Sequence, residues 1–450
     1  MSKSINAVGF PHAPISQVGI TRRTVLGIGI AGLIDALCPS VTFAGSKPAY
    51  TLPHRPLTIP SEIIQVREDP IPIVLIWLDG GASQYETWDP KKDGSIKGPF
   101  DSIKSPKGIE ISALFPRMQE IVDHTLILRN IFTHGLPVDH PNQTLATFQG
   151  STEFDINKGP FIPVHPSFPG RLMNEVLLPQ GKFGLMVFNA SYDHSSSPHP
   201  VTIPQGTLKL EYPGKQDGYP SPFGEHLDRA ILEARIGLHK KLQSEEKLVV
   251  PQTEKYKKYF LRGIEKLEDD LPKAFDLSTE LSEERDRFGR NPLGNAALTI
   301  KRLVRAGLKF MEVHYGFWDT HYKLEKETKW VTPDLDKALP ALIEELKDEA
   351  IIVVATEFGR TPKFNAGFPS VPGWTPGRDH WGHSFSILLA GKRIPPGVIG
   401  QTDNNGTIVK SDDGLGEFLS VHLFPTIFKI AGYEMRYTAD KKLFPVWPIV

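Results

Sequence analysis

Cysteine is almost missing: Cys38 is the only one in 450 residues. An intrachain disulfide is therefore impossible, as is a zinc site built from several thiolates. Any bound metal must rest on His and carboxylate ligands. Net charge is missing too, with 51 Lys and Arg against 52 Asp and Glu, a balance of -1. No global field then favours nucleic acid or anionic lipid. No apolar run approaches the roughly 20 residues that span a bilayer. The Gly-x-Gly-x-x-Gly at 27–32 lies in the amino-terminal leader and not after a strand, and no Walker-type loop is found, which disfavours nicotinamide and nucleotide-loop enzymes. What remains is ordinary globular usage, 40% hydrophobic and 23% charged, in a chain long enough for a sizeable core.

The amino terminus reads as an address. Thr21-Arg22-Arg23-Thr24-Val25-Leu26 precedes a modestly apolar run at 27–34, after a leader without Asp or Glu. That is the order of a signal peptide's n-region and h-region. The paired arginines resemble the twin-arginine export signal, with Val25 in place of the usual Phe. Asp35 ends the run far short of a membrane span. Residues 1–44 are thus expected to be a signal peptide recognised by the twin-arginine export machinery and cleaved after Ala44. The rest, 45–450, is expected to be a single periplasmic or extracellular bacterial domain. At 224–290 the composition shifts to charged helix formers broken by Pro251 and Pro272, which reads as a helical insertion.

Three strand-length segments each lead into an acidic residue: 73–78 ending at Asp79, 308–313 leading to Asp319, and 351–355 leading to Glu357. The first and third are continuous apolar runs suited to strands buried on both faces; the second carries Lys309 and Glu312 and is expected to be less buried. Between the second and third, Thr332 can cap a helix with Pro333 in its first turn and Leu335, Leu339 and Leu342 on one face. Strand, helix, strand implies a largely parallel sheet, and ligands of such sheets bind beyond the carboxyl ends of the strands. The expected fold is α/β, three layers with a central, mostly parallel sheet.

Four segments carry the chemistry: Trp77-Leu-Asp-Gly-Gly-Ala-Ser83, Gly316-Phe-Trp-Asp-Thr-His321, Ala355-Thr-Glu-Phe-Gly-Arg-Thr-Pro362 and Gly377-Arg-Asp-His-Trp-Gly382. Asp79, Asp319, His321, Glu357, Asp379 and His380 supply four carboxylates and two imidazoles, enough for two divalent cations among Zn, Mn, Ca and Mg. His134, His194, His199, His314 and His383 read, for the most part, as ordinary hydrogen-bonded or exposed histidines.

These segments resemble a family of secreted bacterial proteins, DUF1501, whose members are similar to the alkaline phosphatase and sulfatase superfamily. The pairing of Glu357-Phe-Gly-Arg-Thr-Pro362 with Gly377-Arg-Asp-His-Trp381 is its most specific sign. The resemblance implies an alkaline-phosphatase-like fold in which Asp79 binds one metal. Asp319 and His321 match the pair on the other metal, Glu357 the acidic ligand after the next strand, and His380 the last ligand, with Asp379 beside it. Where phosphatases have adjacent Asp and His, Phe358 follows Glu357, so one imidazole is lost. The covalent nucleophile is not matched. Related phosphodiesterases have Thr before Phe-Pro-Asn, but here Asp139 precedes His140-Pro-Asn142.

Two routes stay open. Ser83, after two glycines that let backbone approach a ligand, can serve as nucleophile, or the metals can activate water directly. His140 and Asn142 can then orient an anionic substrate or move a proton, and Arg378 can bind phosphate or sulfate bidentately. The expected activity is metal-dependent hydrolysis of phosphate or sulfate esters. The alternative is a non-catalytic protein on the same scaffold that binds a cell-envelope polymer. Solvent-open cation sites favour the first; a closed ion-pair network of the same residues favours the second.

Overall fold

The computed structural model describes residues 62–133 apart from 93 and 95, 136–154, 165, 167–177, 185–190, 208–211, 272–409, 416–436 and 444–449. The twin-arginine segment, most of the helical insertion, His134, His194 and His199 lie outside them.

The strand Ile73–Leu78 forms the middle of a nine-stranded sheet, and all six of its residues are buried. Its side chains alternate between two cores, as a period of two requires. Val74, Ile76 and Leu78 enter one cluster, with Leu293, Leu335 and Leu339 from the helices Pro292–Arg305 and Leu324–Leu346. Ile73, Leu75 and Trp77 enter the other, with Phe148 and Phe424 from the helices His140–Gln149 and Leu423–Ala431. Helices therefore cover both faces, and the architecture is the expected three-layer α/β/α.

Phe310–Tyr315 and Ile351–Ala355 flank the middle strand, each parallel to it. Leu185–Asn189 and Leu208–Glu211 continue the sheet in parallel beyond Phe310–Tyr315. On the other side Phe385–Gly391 runs antiparallel to both Ile351–Ala355 and Thr125–Phe132. That one reversed strand has a consequence for the site. Its amino-terminal end lies at the edge where the parallel strands end, so the residues leading into it, Asp379 and His380, arrive beside those that follow the parallel strands.

Two expectations are corrected. The second strand begins two residues later than expected and is wholly buried. Glu312 tolerates this because it accepts a hydrogen bond from His314 at 2.5 Å, and Lys309 escapes it by donating to the Pro70 carbonyl at 3.0 Å. The helix does not start at Pro333 but runs over Leu324–Leu346 with Pro333 and Pro340 inside it. Leu324, Thr328 and Val331 extend the buried stripe backwards at the three- and four-residue spacing of one helix face. Thr332, expected as a cap, instead donates its hydroxyl to the Thr328 carbonyl at 2.8 Å. Among the described residues no helix is long and apolar enough to cross a membrane.

Candidate metal centre

Asp79 follows the middle strand directly, and the chain then turns sharply through Gly80 and Gly81, with φ of +113° and +72°. The glycines are needed for packing inside the protein. A Cβ on Gly80 would strike the Trp318–Asp319 backbone, and one on Gly81 would strike the Phe358 ring. The Gly80 amide donates to Glu357 at 3.0 Å. Arg360, fully buried, fastens the same turn: it donates to the carbonyls of Gly80, Gly81 and Arg378 and to the Asp319 carboxylate at 2.5 Å. The ion pair of Arg360 is with Asp319 and not with the neighbouring Glu357.

Around Asp319 three imidazoles converge, and each is held the same way. His140, the first residue of the helix His140–Gln149, has its Nδ1 2.6 Å from Glu357 Oε1. His321 Nδ1 lies 2.7 Å from Asp379 Oδ1. His380 Nδ1 lies 2.8 Å from the Val138 carbonyl. A carbonyl or carboxylate oxygen only accepts, so each Nδ1 carries the proton and each Nε2 is turned the other way. The three Nε2 atoms stand 3.5, 3.3 and 3.6 Å from Asp319 oxygens. The Nε2 atoms of His321 and His380 are 3.0 Å apart. Two lone pairs at that distance repel unless a proton or a metal ion lies between them.

This donor set fits a divalent cation. One ligand atom each from His140, Asp319 and His380 lies within 4.8 Å of the others, and His321 adjoins them. Orientation of each ligating imidazole by an oxygen acceptor on its far nitrogen is the usual outer shell of a metal site. Phe358, at the position where an imidazole is lost, packs its ring 4.2 Å from His380 and 5.0 Å from His140.

Protonation follows from the same contacts. Burial opposes ionisation of Asp319, but His140, His380 and Arg360 outweigh it and hold the carboxyl far below its usual range. Burial likewise opposes charging His140, but Asp319 and Glu357 raise its pKa to about 9. Without a cation His140 is an imidazolium, so loading the site must release its proton.

The other expected site residues are placed differently. Glu357, buried, and Asp379, half exposed, serve as the acceptors that hold His140 and His321. Asp79 faces inward: both its oxygens lie within 3.0 Å of His314 Nδ1, whose Nε2 reaches Glu312. Burial raises Asp79 to about 6, while the two carboxylates overcome the effect of burial on His314 and raise it to about 10. Ser83 is buried and donates its hydroxyl to Glu86, so it is not brought to the cluster. Arg378 is not brought there either. It is fully buried, paired with Glu86 at 3.1 Å, bonded to the Thr361, Pro362 and Ile96 carbonyls, and stacked 4.0 Å from the Phe364 ring centre. Asn142 donates to Asp139, which caps the helix by accepting the Asn142 amide at 2.9 Å.

His314, Glu312 and Glu86 are the participants that sequence reasoning missed or discounted. A His two residues after a Glu inside a buried strand was the available signal, since both side chains must then face the same core. His383 packs on Trp381 and takes no part.

A search of curated proteins finds no match in sequence. Solved structures give weak likenesses. One is a protein in the alkaline phosphatase superfamily from Vibrio parahaemolyticus, at 12% identity over 90% of this chain and 76% of that one, with TM-score 0.38. Another is the C-terminal periplasmic domain of EcEptC from Escherichia coli, at 11% identity over 87% and 91%, TM-score 0.39. A third is alkaline phosphatase from the Antarctic bacterium TAB5, at 13% identity over 81% and 99%, TM-score 0.36. Residues 219–436 match the model of the family described as Protein of unknown function (DUF1501).

Proposed function

We propose that the protein is an exported hydrolase of phosphate or sulfate esters that works with a divalent cation held by His140, Asp319, His380 and His321. The observation that carries this is the convergence of three Nε2 atoms on one carboxylate that is half exposed to solvent. An imidazole-rich set favours Zn over Mn, Ca and Mg. A cation there supplies Lewis-acid polarisation of an ester oxygen and a bound water of lowered pKa.

The chain's own residues supply the rest. Glu357 and Asp379 fix the rings of His140 and His321. With Ser83 and Arg378 engaged elsewhere, water is the favoured nucleophile. The resemblance implied two cations. Among the described residues one three-donor group forms, and His314 already occupies the face of Asp79, so we infer one cation.

A second reading has an observation of its own. The inner acids pair off within the protein, Asp79 and Glu312 with His314 and Glu357 with His140, as expected of a scaffold that binds an envelope polymer without catalysis. Elemental analysis of chelator-free protein, beside Asp319→Ala and Asp79→Ala, together with hydrolysis of 4-nitrophenyl phosphate and sulfate, separates the two. One equivalent of metal, absent from Asp319→Ala and kept by Asp79→Ala, with hydrolysis that follows the metal, supports the hydrolase. Folded wild type that neither holds nor takes up metal leaves the scaffold.

A further inference from the structure

Beside the metal centre lies a patch of different chemistry. In the segment 366–376 Phe368 and Trp374 are 42% and 37% exposed. Tyr322, the residue after His321, joins them: its ring centre is 4.3 Å from that of Phe368 and 5.1 Å from that of Trp374. Lys323 Nζ stands 4.4 Å from the Trp374 ring centre. A contiguous exposed apolar surface of this kind marks a binding site more often than chance. Two of its rings, Tyr322 and Trp374, wall an open cavity of about 450 Å³ whose other walls are Asp319, His321 and Glu327, so these rings and the proposed cation share one space, with Phe368 packed behind them.

The patch is fastened to the centre by one side chain. Asn365 Nδ2 donates to the His321 carbonyl at 2.6 Å and to Asp379 at 3.2 Å. Its Oδ1 accepts the amides of Gly367 and Gly377, both at 3.1 Å, closing the neck of the segment. The Lys323 amide bonds to the Thr375 carbonyl at 2.9 Å, and Tyr322 bridges to Pro376. The rings are therefore held in a fixed relation to the imidazoles.

We propose that Tyr322 and Trp374, backed by Phe368, form a subsite that stacks an uncharged pyranose ring of a glycan whose phosphate or sulfate ester reaches the metal centre. Only the part played by the ester rests on the hydrolase reading; ring binding does not. An electron-rich aromatic face suits the weakly positive C–H face of a sugar. The Glu327 carboxylate accepts hydrogen bonds from hydroxyl groups, which a pyranose has around its rim. A bare aryl group would not meet that acceptor. A nucleoside polyphosphate would bring further negative charge against Glu327.

The test measures binding without turnover. Unesterified hexasaccharides of glucose, galactose and mannose are titrated into wild type, Trp374→Ala, Trp374→Phe and Trp330→Ala, with calorimetry and tryptophan fluorescence as readouts. Trp330 is 48% exposed but packs on Phe317, outside the cavity. Wild type is expected to bind at least one sugar. Trp374→Ala should bind it about tenfold or more weakly, while Trp374→Phe keeps most of the affinity and Trp330→Ala all of it. Unchanged metal uptake by Trp374→Ala shows that the neighbouring centre is intact. Absence of sugar binding by wild type, or equal loss in the Trp374→Ala and Trp330→Ala variants, overturns the subsite. Hydrolysis of 4-nitrophenyl esters without sugar binding overturns the subsite alone; sugar binding lost on Trp374→Ala without metal or hydrolysis overturns the hydrolase reading alone.

Discussion

Gly80→Ala tests how the metal centre is assembled. Gly80 has φ +113°, and a Cβ there would stand 2.9 Å from the Trp318 carbonyl carbon and closer still to the Asp319 amide, whereas real Cβ atoms essentially never come under 3.0 Å. Both obstacles are backbone and cannot swing aside. The positive φ costs about 1–3 kcal/mol and the overpacking about 1–3 kcal/mol more. The sum, about 2–6 kcal/mol, is a large share of an ordinary stability of about 5–15 kcal/mol. The protein should still fold, but with the Asp319 backbone displaced and its carboxylate out of register with the three imidazoles. Metal affinity should fall about tenfold to a hundredfold, as when a supporting contact of a ligand is lost. Gly108→Ala is the control: φ is +88°, yet nothing lies within 4 Å of its added Cβ. It carries the backbone strain without the collision. Calorimetric titration with Zn²⁺ and Mn²⁺, beside thermal unfolding, should show both variants less stable and only Gly80→Ala weakened in metal binding. Wild-type affinity in Gly80→Ala, or equal weakening in both, would refute the reasoning.

Arg378→Met should lower stability by about 3–5 kcal/mol, because it leaves the buried Glu86 carboxylate unpaired; denaturant unfolding gives the number. An Arg378 that bound substrate would instead raise KM and leave unfolding unchanged. Glu357→Gln and Asp379→Asn each remove the charge that holds an imidazole, and each should weaken metal binding by about ten- to a hundredfold by titration. Away from the site, hydrogen bonds from Arg287, with Lys301 beside them, lower the Glu284 pKa from 4.5 to about 2. A depressed carboxyl stabilises the fold above pH 4.5 and loses that contribution as pH falls towards 2. After discounting for its partial exposure, Glu284→Gln should cost about 1–2 kcal/mol at pH 7. The difference from wild type should close across that acid window in urea titrations; a constant difference would refute the linkage.

The sheet was legible where the sequence was monotonous. Ile73–Leu78 and Ile351–Ala355 are uninterrupted apolar runs, and both strands fall where the runs do. Phe310–Tyr315 was harder because its core includes a buried ion pair. Glu312 looks like solvent exposure until His314 is seen to share its face. The converging edge was legible too, since an acidic residue after each parallel strand can only lie there. What one dimension hides is which atom faces which. His140 and His380 are 240 residues apart in sequence, yet their ring centres are 4.6 Å apart. The choice between Glu357 as a metal ligand and Glu357 as the holder of His140 depends on which atom its carboxylate meets, and that is His140 Nδ1. Arg378 misled for a related reason: a guanidinium suits an anion and a cage of carbonyls equally, and only its burial decides.

The pairing of charges explains how such a site can exist before any cation arrives. Asp319 has Arg360, Glu357 has His140, Asp379 has His321, Asp79 and Glu312 share His314, and Glu86 has Arg378. An unpaired buried carboxylate costs several kcal/mol, and several of them together would exceed what a domain of ordinary stability can bear. Each buried acid therefore brings its own positive partner in the fold. Of these partners the two arginines stay charged at any ordinary pH, and His314 is sealed between two acids. His140 and His321 differ, because each turns its second nitrogen towards the half-exposed Asp319. A cation can displace the proton from His140 there without uncovering any buried acid, since Glu357 keeps the hydrogen bond from Nδ1. The inner pairs hold the fold, and His140 is where the proposed cation would replace a proton.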